Sequence, residues 1–197
     1  MDKKTRLPKQ RRAIENKALL LEAAKKLFTE KGYLNTNSNE IVKEAGISIG
    51  TFYAYYKDKK EVFMEIIDEY TREYNMKLEE ALNSIRNDND RDYLKAIILA
   101  TMDISKKYYG FEDELIAMRY TDNDIKLQNE INQKYIISKI KGMLNRMHFK
   151  NQNQDIAAFL LFCLVDNFSY NIVHQSDLDV DASVEHCIDM ILSYTKT

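Results

Sequence analysis

One proline, Pro8, and five glycines in 197 residues leave the chain almost without helix breakers. Turn-rich β architectures, collagen-like repeats and Pro-rich linkers all need more, so the expected class is all-α. An apolar share of 45% is enough for a real core and argues against disorder. Three of the five glycines, Gly32, Gly46 and Gly50, fall within 19 residues, so chain reversal is concentrated there.

Apolar spacing then divides the chain into about nine helices. A basic arm, residues 1–11, lacks an apolar stripe and is expected to be disordered in isolation. A first helix follows to about Lys31, with Ile14, Ala18, Leu21, Ala24 and Phe28 as its stripe. Asn37, with Glu40 three residues on, forms a capping pair for a short helix over Ser38–Ala45. Gly46 ends it, and Ser48 caps a second short helix from Ile49 to Tyr56. A long helix covers about Lys59 to Ile85, and further helices are expected near 91–109, 112–121, 124–148, 153–175 and 181–195. Gly142 in mid-helix suggests a close helix crossing.

The net charge of −2 conceals an asymmetry. Residues 1–60 carry 14 Lys and Arg against 7 Asp and Glu, whereas residues 61–197 carry 15 against 24. A basic head on an acidic body implies an anionic partner for the head. The division expected is a basic head over 12–60, behind the arm, and an acidic body over 61–197.

Two short helices joined through a glycine turn, behind a supporting helix, make a helix-turn-helix. Its second helix must be slim enough to enter the major groove, and Ser48, Gly50, Thr51 and Ala54 supply that profile. Tyr53, Tyr55 and Lys59 can reach phosphates at the groove walls. Ile41, Ala45, Ile47 and Phe52 face back onto the first helix.

The stretch Ala24-Lys-Lys-Leu-Phe28, Lys31-Gly-Tyr33, Ile41 to Tyr53 and Tyr55 to Val62 resembles the head of the tetracycline-repressor (TetR) family of bacterial transcriptional regulators. The resemblance implies that Ser38 and Asn39 open the first reader helix against DNA. It implies a recognition surface of Ile49, Gly50, Thr51, Tyr53, Ala54 and Tyr55, with Lys59 holding phosphate. Asn39 stands where arginine is frequent, and would read adenine or contact phosphate instead. It further implies a homodimer on a near-palindromic operator, and a helical body that takes a small-molecule effector.

In that body, Ile156 to Val165 is an unbroken run of ten apolar residues, too short on its own to span a bilayer. Packing it, with Val184, Cys187, Ile188, Ile191 and Leu192, against a symmetry mate gives a four-helix interface; a purely internal core is the alternative. Candidate effector-binding residues are Met102, Tyr109, Phe111, Met118, Tyr120, Phe162, Asn167 and Tyr170. Asp166, Asn167, Tyr170 and Asn171 interrupt the apolar stripe, and either bond an effector or sit in water.

No catalytic constellation or cofactor motif is present, and the three histidines lack ligand spacing, so neither enzyme activity, cofactor nor metal is expected. Asp177-Leu-Asp179-Val-Asp181 has Ala182 where a calcium loop needs glycine, and is expected to cap a helix. The two cysteines, the absence of a signal-like leader and the helical pattern fit a cytoplasmic protein. The resulting expectation is a repressor released by an effector. A sequence-indifferent architectural DNA binder and a helical small-molecule carrier are the alternatives.

Overall fold

The structure is a computed structural model that describes residues 3–84, 89–147, 149, 153–174 and 177–195, with backbone alone over 3–10 and at 84. Within these residues the chain forms α1 (Lys3–Lys31), α2 (Ser38–Ala45), α3 (Ile49–Tyr55), α4 (Lys59–Ser84), α5 (Asp90–Lys107), α6 (Phe111–Met118), α7 (Asn123–Arg146), α8 (Gln154–His174) and α9 (Val180–Thr195). No strand occurs among them. The fold is all-α, as the breaker count requires.

Two compact units are present: Met1–Glu69 with Gly110–Thr121, and Tyr70–Tyr109 with Asp122–Thr197. The first unit therefore runs past the 60/61 division read from sequence and includes α6. Its core is an aromatic cluster in which Phe28, Tyr33 and Phe111 surround Phe63, at ring separations of 5.3, 4.9 and 5.1 Å. Such pairs add about 0.5–1.5 kcal/mol each beyond their area. Gly110 starts α6 with φ +78°, and a Cβ there would lie 2.5 Å from the Thr29 methyl. α6 therefore packs closely on α1.

α1 departs from expectation in two ways. Its backbone is helical from Lys3, so the basic arm is the beginning of the helix. Lys, Arg, Gln and Leu propagate a helix that is already nucleated. Ile14 is 70% exposed and Ala18 is exposed, so the buried stripe begins later, at Leu20, Ala24, Leu27 and Phe28. The N-terminal half of α1 thus reaches beyond the helices that cover its second half.

In the second unit, α5 packs on α8 and α9, and α7 on α8. Thr101 and Ser169 share a buried hydroxyl–hydroxyl bond of 2.6 Å between α5 and α8. Arg91 bonds both Glu185 and Asp189, and Lys95 bonds Glu185, tying α5 to α9. Gly142 does not mark a crossing: nothing lies within 4 Å of a Cβ placed there. Asp179 accepts the Ala182 N–H at 3.1 Å, so its loop caps α9.

α8 has 21 residues and is the one described helix long and apolar enough, by length and composition alone, to cross a membrane. The ten-residue run had suggested less. Ala157, Ala158, Leu161, Phe162 and Ile172 are buried within the unit, while Ile156, Phe159 and Leu160 are about half exposed. The α9 stripe Val184, Cys187, Ile188 and Ile191 is buried inside the protomer, leaving Met190 and Tyr194 outside.

Candidate nucleic-acid interface

Local chemistry sets the reader helices. The Asn37 side chain accepts the N–H groups of Asn39 and Glu40 at 3.0 and 3.1 Å. Glu40 returns the favour to the Asn37 N–H at 3.0 Å, completing a capping box that starts α2. The Lys31 ammonium, together with the Asn37 N–H, holds the Glu40 carboxyl below its ordinary value of 4.5. The cap's ionic support is therefore present above that value and is lost as pH falls through the lower, folded one.

Gly46 ends α2 at φ +67°, the left-handed conformation that favours glycine. Ser48 then caps α3 by accepting the Thr51 N–H at 3.1 Å, and its hydroxyl bonds that of Thr51 at 2.9 Å. Phe52 and Ile41 are fully buried and anchor α3 and α2, while Ala45 and Ile47 are half-buried.

The opposite face is open. Asn39, Ser48, Ile49, Gly50, Tyr53 and Ala54 are exposed, whereas Ser38, Thr51 and Tyr55 are half-buried. Tyr53 stands 60% exposed with its ring edge-on to Phe52 at 5.3 Å, which limits its freedom before any partner arrives. The first unit thus brings nine of the ten sequence-predicted DNA residues onto α2, α3 and their caps.

Lys59 is the exception. Its ammonium donates to the carbonyls of Tyr33 and Thr36 at 2.7 Å and approaches that of Leu34 at 3.4 Å. It also lies 4.4 Å from the centre of the Tyr33 ring. Burial draws its pKa below the ordinary lysine value, with Glu40 opposing. Its donors are committed to the α1–α2 loop, so in this structure Lys59 clamps that loop. The opposite side of that loop is held by Glu114 of α6, whose carboxylate accepts the Tyr33 N–H at 2.7 Å. Neither role was visible in the local pattern, because the partners lie 26 and 81 residues away. Lys57 was passed over in the sequence; it is exposed just beyond α3, paired to Glu61 at 3.2 Å.

Gly50 has no structural need to be glycine. Its φ is not positive, and a Cβ would meet only the Ser48 hydroxyl at 3.8 Å. Gly50→Ala is expected to leave the melting temperature unchanged or raise it, since alanine favours a helix by up to about 1 kcal/mol. If the helix approaches bases closely at this point, the same methyl lowers DNA affinity by about tenfold, the scale of one mismatched base pair. Calorimetry and a mobility-shift titration on one preparation check both halves.

The eight candidate effector residues do not converge. Phe162 lines a narrow cavity in the second unit, together with Leu94, Ile98, Met143, Leu161 and Asp166. Met102 is buried in that unit. Tyr109 and Tyr170 sandwich the His174 ring at 4.5 and 4.1 Å. Asn167 bonds the Cys163 carbonyl and lies in an open groove on the outer face of α8. Phe111 and Met118 are core residues of the first unit, and Tyr120, also of that unit, is 78% exposed. Of the four polar residues that interrupt the α8 stripe, Asp166 lines the cavity. No group of three or more His, Cys, Asp or Glu able to hold a metal occurs among the described residues.

Residues 20–66 match the family model for bacterial regulatory proteins, tetR family. An uncharacterized HTH-type transcriptional regulator of Bacillus subtilis, YhgD, is 30% identical over 77% of this chain and 81% of its own length. Two solved transcriptional regulators have similar folds. One from Rhodococcus gives a TM-score of 0.75 at 17% identity, covering 91% of this chain and 95% of its own. A TetR-family regulator from Streptomyces coelicolor gives 0.77 at 16% identity, covering 93% and 97%. With its capped reader helices, its family match and a relative of this identity and coverage, the chain belongs to the tetR family of bacterial regulatory proteins.

Proposed function

We propose that this DNA-binding transcriptional regulator is a cytoplasmic repressor, reading a near-palindromic operator as a homodimer and released by a small molecule held in the second unit. The observation that carries this reading is the exposed, slim face of α3, from Ser48 to Ala54, over a buried Phe52 anchor. Such a helix enters one major groove, and two copies read half-sites about one helical turn, roughly 34–36 Å, apart or slightly more. Ser38 and Asn39, at the α2 N-terminus, face phosphate or an adjacent base, with Lys57 as a phosphate contact. Lys59 supports the loop behind them.

The half-exposed Ile156, Phe159 and Leu160 support dimerisation through α8, with the outer residues of α9 at its side. An effector that prefers a body conformation with badly spaced heads lowers operator affinity by its differential affinity for that state, and by no more. Tyr53→Ala tests the reading: the variant keeps its fold and self-association and loses about 1–3 kcal/mol of operator binding. Unchanged operator affinity and selectivity would remove Tyr53 from the reading surface.

A further inference from the structure

With Ser38 and Asn39 facing DNA, the α2 N-terminus has to be held in place by the α1–α2 loop that precedes it. Gly32 ends α1 at φ +83°, and the Tyr33 ring beyond it packs on Phe28 and Phe63 at 5.5 and 4.9 Å. The Tyr33 carbonyl accepts the Thr36 N–H at 3.3 Å, and Thr36 directly precedes the Asn37 cap. The Thr36 hydroxyl donates in turn to the Gly32 carbonyl at 2.9 Å, closing the loop on itself. A displacement of Tyr33 is therefore passed along one short turn to Asn37, Ser38 and Asn39.

The Tyr33 backbone is gripped from two sides. Lys59 of α4 donates to its carbonyl at 2.7 Å, and Glu114 of α6 accepts its N–H at 2.7 Å. The Glu114 carboxylate also seats against Gly32, where a Cβ would lie 3.3 Å from its nearer oxygen. α6 is itself fixed in this unit, with Gly110 close against Thr29 and the Phe111 ring 5.1 Å from that of Phe63. The segment matching the family model, 20–66, ends far short of Glu114. We propose that Glu114 is a positioning residue for operator binding, holding the α2 N-terminus in register from a helix outside that segment. It acts through Tyr33 and not on DNA. A carboxylate opposes DNA binding by its charge, so any affinity it supplies comes through the geometry of the loop. The proposal rests on the reader-helix function above.

The test uses the full chain and the operator that the unsubstituted protein selects from random duplexes. Glu114→Ala is expected to bind that operator about tenfold more weakly, the scale of one hydrogen bond to a charged group. Its binding to an unrelated duplex is expected to hold or strengthen, because a negative charge is gone. Glu114→Asp keeps the charge but falls one methylene short, and is expected to lose as much operator affinity. It carries the comparison if Glu114→Ala does not fold. Glu114→Gln keeps an acceptor at full reach without the charge, and is expected to restore most of the affinity. Amide exchange over 33–40 is expected to quicken about tenfold in the first two variants and not in the third. A lower melting temperature with unchanged operator affinity of the folded fraction would make Glu114 merely structural and overturns the assignment. Equal weakening on operator and unrelated duplex, or a Glu114→Gln variant as weak as Glu114→Ala, overturns it as well. If the unsubstituted protein selects no operator, the sequence-reading function itself fails, and the assignment with it.

Discussion

Phe159→Glu combined with Leu160→Glu is expected to yield a folded monomer whose operator affinity is lower by at least about a hundredfold. Both side chains are about half exposed in the protomer, on the outer face of α8, so charging them removes little of the internal core. In the dimer proposed through α8 these positions become buried, where each apolar side chain contributes about 1.5–3 kcal/mol and an unpaired carboxylate costs more. A monomer also loses the second head. The second half-site contact is then no longer intramolecular, and the advantage of linked binding disappears. Sedimentation velocity and a mobility-shift titration on the same sample check the two halves. A variant that remains dimeric would place the interface elsewhere on the surface.

Lys59→Met is expected to lower the stability of the first unit by about 2–3 kcal/mol, even in the absence of DNA, by stranding carbonyl acceptors. The methionine keeps the aliphatic stem near the Tyr33 ring and removes the N–H donors that serve Tyr33 and Thr36. Thr36 is almost completely buried, so water does not readily replace the lost donor. The salt dependence of operator binding separates the clamp from a phosphate contact. A lost phosphate contact reduces the slope of log K against log salt by about 0.9 per phosphate. The clamp predicts an unchanged slope for the folded fraction, with a lower melting temperature.

What the sequence made legible was local. Asn37 with Glu40, Gly46 and Ser48 each act within four residues of themselves, and each cap forms where the pattern placed it. The helix count was legible for the same reason, since few breakers interrupt the apolar spacing. Burial that depends on distant partners was not. Ile14 fits the α1 stripe by spacing and is nonetheless exposed, because the covering helices reach only the later turns. α6 reads as one more body helix, but Gly110 packs it against Thr29 and Glu114 bonds Tyr33, so it belongs with the first unit. Lys59 has a basic side chain at the expected position, and its use is decided by carbonyls more than twenty residues upstream. The cavity gathers side chains from five helices, α4, α5, α7, α8 and α9, a convergence that residue type and spacing within any one helix do not reveal.

On the function proposed here, the open face of α3, presented twice by a dimer, reads one operator sequence. Selection of bound duplexes from a random pool at about physiological salt, followed by sequencing, tests it most directly. Enrichment of a near-palindromic site with half-sites about one helical turn apart or slightly more is expected, and its loss on Tyr53→Ala. Retention of duplex without enrichment, tracking salt alone, would contradict it and favour a sequence-indifferent binder.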